Sequence, residues 1–167
     1  FEALLQAGGA IQTAGSIERG STVSDFDPIE KQRGHSVDAA IASIDHEAAP
    51  NQPVHVNLID TPGYPDFPGP ALSALGAVET VLVVVDADSG VEYGTRRMME
   101  YAKGRNLCRV IVVNKIDHEG AALDGVLADL RETFGGECLP LNLPVHGGKG
   151  VVDCLLNPGG DSDLRPV

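Results

Sequence analysis

Two Val-rich runs constrain the fold most tightly. Residues 80–87 (Thr-Val-Leu-Val-Val-Val-Asp-Ala) and 109–114 (Arg-Val-Ile-Val-Val-Asn) are near-continuous apolar stretches of strand length. That is the pattern of strands buried on both faces of a sheet. Residues 95–105 between them read as helix. Leu123, Val126, Leu127, Leu130 and Phe134 then recur at helical spacing until Gly135-Gly136 stops the pattern. Strands alternating with helices predict an α/β fold, with a mixed, mostly parallel sheet and helices on both faces.

The first half reads differently. A helical stub over residues 1–8 ends at Gly8-Gly9. Residues 15–34 are polar without a sustained period and are expected to form a long loop, a feature that in compact domains is usually functional or mobile. Residues 36–46 and 54–60 look extended, and the connection Ala49-Pro50-Asn51-Gln52-Pro53 predicts an antiparallel pair. Prolines exclude regular structure over 60–70, and a short helix is expected over 71–78. Beyond residue 136, Pro and Gly become frequent and a further element begins. The acids Asp161 and Asp163 read as a solvated turn.

Composition removes whole classes of function. With 12 Lys+Arg against 24 Asp+Glu the net charge is −12, which argues against DNA binding because phosphate contacts need basic side chains. No apolar run reaches membrane-spanning length. Cys108, Cys138 and Cys154 are odd in number and widely spaced, so they are expected to be buried, reduced thiols of a cytoplasmic protein. His35, His46, His55, His118 and His146 lack metal-ligand spacing. The opening Phe1-Glu2-Ala3-Leu4-Leu5 reads as the middle of a helix, so the chain is expected to be a fragment.

In open α/β sheets, ligands bind at the carboxyl ends of strands. The strand 54–59 runs into Asp60-Thr61-Pro62-Gly63, and the strand 109–113 runs into Asn114-Lys115-Ile116-Asp117. Chance would produce the first string about once in a thousand such chains and the Asn-Lys-x-Asp pattern about once in fifty. The second pattern suits guanine. The Asp117 carboxylate accepts two N–H groups from one edge of the base, the Asn114 amide pairs near the opposite edge, and the Lys115 stem lies along the ring. Adenine presents the wrong donors there. Asp60 suits magnesium held through water. Gly63 leaves a backbone N–H open to a terminal phosphate. Ser36, in Arg33-Gly34-His35-Ser36-Val37, offers a hydroxyl to the same metal. Asp25 and Glu30 are explained equally well by a solvated loop face.

Together these residues resemble the translational GTPases, and elongation factor G and its paralogues in particular. Asp60–Gly63 is similar to that family's switch II motif, Asn114–Asp117 to its guanine motif and Arg33–Val37 to the end of switch I. Asp86-Ala87-Asp88-Ser89-Gly90-Val91 is similar to a further strand end. Leu143-Pro144-Val145 and Gly150-Val151-Val152-Asp153 resemble the start of the elongation factor G insertion. The resemblance implies a P-loop NTPase-type fold missing its first strand, with residues 1–135 as GTPase domain and 136–167 as the beginning of that insertion. It implies GTP or GDP with Mg²⁺ as ligands and the ribosome as partner. Asn114, Lys115, Asp117, Asp60, Thr61, Pro62 and Gly63 would bind nucleotide, Ser36 and Asp60 would hold the metal, and Gly63 and Tyr64 would be catalytic. Asp60–Gly63 and Asn114–Asp117 are expected to grip opposite ends of one nucleotide.

Three departures stand out. The phosphate-binding Gly-x-x-x-x-Gly-Lys-Ser/Thr loop is absent from these residues, Tyr64 stands where the family has His, and Ser36 where it has Thr. The implied activity is GTP hydrolysis on the ribosome. The alternatives are a non-hydrolysing GTP-dependent binding module and an inactive truncation product.

Overall fold

The computed structural model describes residues 1–64, 68–118 and 122–154, apart from the side chains of residues 48 and 49. The chain divides into two compact units, Phe1–Val78 and Glu79–Val167. Asp161, Asp163 and part of the proline-dense passage lie outside the described residues.

In the first unit, helix α1 (Glu2–Ala7) buries Leu5 and stops at Gly8. The Glu2 carboxylate accepts the backbone N–H groups of Gly15 (2.7 Å) and Val23 (2.6 Å), which ties the following segment to α1. Residues 15–34 are not wholly loop as expected. Pro28–Arg33 form a helix, α2, opened by a capping box between Asp27 and Glu30 with Pro28 in its first turn. Gly34 closes it with a left-handed φ of 69°. The signal was present as Asp27-Pro28-x-Glu30.

Strands β1 (Ala40–Ala49) and β2 (Gln52–Asp60) pair antiparallel as predicted, in register from Ala40↔Asp60. Asn51 takes the positive φ of 62° that the tight turn demands. The first strand starts later than the expected residue 36 because the Val37 and Asp38 N–H groups bond to Glu30. Helix α3 (Pro68–Ala74) begins before the expected residue 71. Prolines are tolerated in a first turn, whose N–H groups have no helical partner.

In the second unit, β3 (Thr80–Asp86), α4 (Tyr93–Gly104) and β4 (Cys108–Asn114) form the predicted β-α-β unit. The strands are parallel, in register from Thr80↔Cys108 to Asp86↔Asn114. Helix α5 (Leu123–Phe134) follows as read from its apolar spacing. Strands β5 (Asn142–Val145) and β6 (Gly150–Asp153) close an antiparallel hairpin.

Two expectations need correction. Val83 and Val85 are buried on the side where α4 supplies Met99 and Ala102, but Leu82 and Val84 on the opposite face remain 48% and 57% exposed. The apolar run reads as two-sided burial, whereas one face alone is covered. The mostly parallel sheet is met only in β3–β4. Among the described residues the strands make three two-stranded sheets, two of them antiparallel, because β1–β2 and β5–β6 are local hairpins.

Candidate functional site

The first unit carries a pocket of about 470 Å³. It is lined by Ser16, Thr22, Ser24, Asp25, Ser36 and Asp60, among others. Strand β2 delivers Asp60 at its carboxyl end. Asp25 is buried and accepts hydrogen bonds from the Ser36 hydroxyl (2.7 Å) and the Thr22 hydroxyl (2.8 Å). The two residues expected to share a metal, Ser36 and Asp60, thus line one pocket.

Of the two equal readings of Asp25 and Glu30, acids of a switch I-like segment or a solvated loop face, the solvated one fails, because both are buried. Glu30 is 1% exposed and accepts N–H groups from Val37, Asp38 and Asp27 at 2.8, 3.0 and 3.0 Å. Burial opposes its charge. The three backbone donors and the nearby His35 outweigh that and hold its carboxyl below the usual range. Glu30 therefore fixes the backbone on which Ser36 rides.

Burial pushes the Asp60 carboxyl upward, and the charge of Asp25 adds to this. Hydrogen bonds from Ser24 and Thr61 work against it. Two carboxylates and several hydroxyls form an all-oxygen donor set, the kind magnesium takes while keeping most of its waters. Added positive charge would relieve the Asp25–Asp60 repulsion, so the residues fit that ion. Among the described residues no group of three or more His, Cys, Asp and Glu is arranged to hold a metal unaided.

After Asp60, Thr61 is half-buried, Pro62 is buried, and Gly63 and Tyr64 are exposed. Among the described residues, none beyond its chain neighbours has an atom within 4 Å of where a Gly63 side chain would begin. The Tyr64 ring rests against His35, with centroids 4.5 Å apart.

The second unit presents the Asn114–Asp117 loop at the carboxyl end of β4, with Asn114, Lys115 and Asp117 all exposed. Lys115 has a left-handed φ of 58°, a conformation costly for a residue bearing a Cβ and frequent at functional sites. Its ammonium sits 2.6 Å from Asp86, the residue in register with Asn114 on β3. Each holds the other charged: the hydrogen bond to Lys115 lowers the Asp86 carboxyl and raises the lysine. The Asn114 carbonyl accepts from the Ala87 N–H at 3.0 Å. His118 pairs with Asp88 at 2.8 Å. The sequence offered Asp86 only as part of a resembling strand end; parallel register makes it the lysine's partner.

The cysteines are free, but the expectation that they are buried fails. Cys108 is exposed and the other two are half-buried, because Cys108 opens a strand whose far face is uncovered.

Residues 1–157 match the family model for the elongation factor Tu GTP-binding domain. The chain belongs to the translational GTPases. It is 36% identical, over 93% of its length, to an elongation factor G-like protein of Mycobacterium tuberculosis. It is 34% identical, over 90%, to peptide chain release factor 3 of Enterococcus faecalis. A crystal structure from Thermus thermophilus matches with a TM-score of 0.81 and 38% identity over 91% of this chain. A translational GTPase domain has a P-loop NTPase-type α/β fold. The chain spans only 21%, 28% and 22% of these three proteins. No helix among its described residues is long and apolar enough to cross a membrane.

Proposed function

We propose that this chain supplies guanine-nucleotide recognition to an elongation factor G-like translation factor that hydrolyses GTP on the ribosome. The observation carrying this reading is the exposed Asn114-Lys115-Ile116-Asp117 loop at a parallel strand end, in a chain of this family. Asp117 accepts the N–H groups on one edge of guanine, Asn114 pairs near the other, and the Lys115 stem lies along the base while its head stays with Asp86. Thr61, Pro62 and Gly63 attend the phosphates, and the Gly63 N–H meets the terminal one. Ser36 and Asp60 would hold magnesium, which when bound neutralises charge on the phosphate oxygens. Residues 136–167 belong to the beginning of the insertion found in elongation factor G.

Catalysis in this chemistry is positioning plus charge stabilisation. Tyr64 stands beside the attacking water. Its hydroxyl can hydrogen-bond that water, but its reach differs from that of imidazole. Its ring contact with His35 also favours a second reading, a GTP-dependent binding module that does not hydrolyse. Single-turnover cleavage of γ-labelled GTP with ribosomes separates the two. In the intact protein, cleavage by the original sequence that rises further in Tyr64→His supports the first, and cleavage that appears only in Tyr64→His supports the second. Equal rates would show that Tyr64 does not limit the reaction, and no cleavage in either protein supports the second. The 167 residues lack the phosphate-binding loop, whose backbone N–H groups and lysine form the family's phosphate cradle, so by themselves they are expected to bind GTP weakly. Submicromolar affinity of the purified chain for a labelled GTP analogue would contradict that.

A further inference from the structure

The guanine loop has a second neighbour within its own unit. The turn between β5 and β6, His146-Gly147-Gly148-Lys149, comes directly against the backbone of Ile116 and Asp117. Gly148 has a left-handed φ of +80°. A methyl group on it would lie 2.6 Å from the Ile116 carbonyl carbon and 2.9 Å from the Asp117 nitrogen, and nearer still to the Ile116 carbonyl oxygen. Gly147 shares the positive φ, at +65°, yet a methyl group there would meet none of the described residues beyond its chain neighbours within 4 Å. That approach to the Ile116–Asp117 peptide is made at position 148.

The first half of the guanine loop is tied to β3 by the Lys115–Asp86 pair and the bond from the Ala87 N–H to the Asn114 carbonyl. The β5–β6 turn covers the second half. We propose that Gly148 is a positioning residue, whose lack of a side chain lets the turn brace the Ile116–Asp117 peptide and fix the Asp117 carboxylate for a guanine base. This rests on reading Asn114–Asp117 as the base-recognition loop. It adds that base selectivity depends on a hairpin remote in sequence, so lifting the turn would loosen it.

The test compares the 167-residue chain with Gly148→Ala and Gly147→Ala. Amide chemical shifts and hydrogen exchange are followed during titration with GDP and with inosine diphosphate, which lacks the exocyclic amino group. Chemical shifts register millimolar binding, so weak affinity is no obstacle. The original chain is expected to favour GDP by roughly tenfold, the worth of one hydrogen bond to a charged group. The ratio falls to about one in Gly148→Ala and survives in Gly147→Ala, which carries the same backbone strain. Without nucleotide, exchange at Ile116 and Asp117 quickens only in Gly148→Ala, while protected β3 and β4 amides show that the fold is intact. Unchanged selectivity and exchange in Gly148→Ala, or equal losses in both variants, would overturn the brace. If the original chain does not separate the two nucleotides, the base-recognition reading fails and the brace loses its proposed purpose. The exchange comparison still decides whether the contact holds.

Discussion

Glu30 shows how much of the site depends on single buried groups. One carboxylate closes the capping box of α2 and also holds the Val37 and Asp38 amides that directly follow Ser36. Glu30→Gln replaces an acceptor oxygen with a donor facing a backbone N–H. It should cost about 1–3 kcal/mol in urea unfolding. Because the folded carboxyl is held below its unfolded value, its contribution is full above that value. It fades as pH falls below about 4.5 and is gone beneath the folded pKa. Glu30→Gln should therefore flatten the acid limb of the stability profile, and an unchanged limb would remove Glu30 from the account. Asp25→Ala should likewise strand the Ser36 and Thr22 hydroxyls and lower the thermal midpoint by several degrees. The motif residues Asp60–Gly63 and Asn114–Asp117 were legible because their order and spacing are local. Asp25 and Glu30 were not, since an acid among polar neighbours reads as solvated until the fold buries it.

At the scale of elements, helical spacing located α5, the Pro/Asn connection located the β1–β2 hairpin, and apolar runs located β3 and β4. What these could not give was the covering of each face, which is decided by distant segments. The structure therefore predicts an asymmetry that the Val-Val-Val run conceals. Val85→Ala, at a position 1% exposed, should destabilise by about 2 kcal/mol. Val84→Ala, on the open face, should cost under about 1 kcal/mol. Equal costs by chemical denaturation would mean that both faces are buried after all. Helix α2 was missed because six residues show no period, and only its cap betrays it. Asp27→Ala removes the bond to the Ile29 N–H (2.7 Å) and should cost about 1 kcal/mol, read from the same unfolding curves.

For the whole molecule, the net charge of −12 argues against unaided binding to a phosphate backbone and puts weight on a few placed groups. Acidic side chains organise both units: Glu2, Asp25 and Glu30 order the segment before β1, while Asp86 captures the one lysine of the Asn114–Asp117 loop. The central claim is that Asp117 reads the base. Replacing its carboxylate by an amide keeps one acceptor but turns the other position into a donor, which clashes with guanine's amino group and suits the 2-oxo group of xanthine. The decisive measurement is the ratio of GDP to xanthosine diphosphate affinity, by amide-shift titration, in the chain and in Asp117→Asn. The account predicts a preference for GDP that reverses in the variant. A ratio that the substitution leaves unchanged would contradict it.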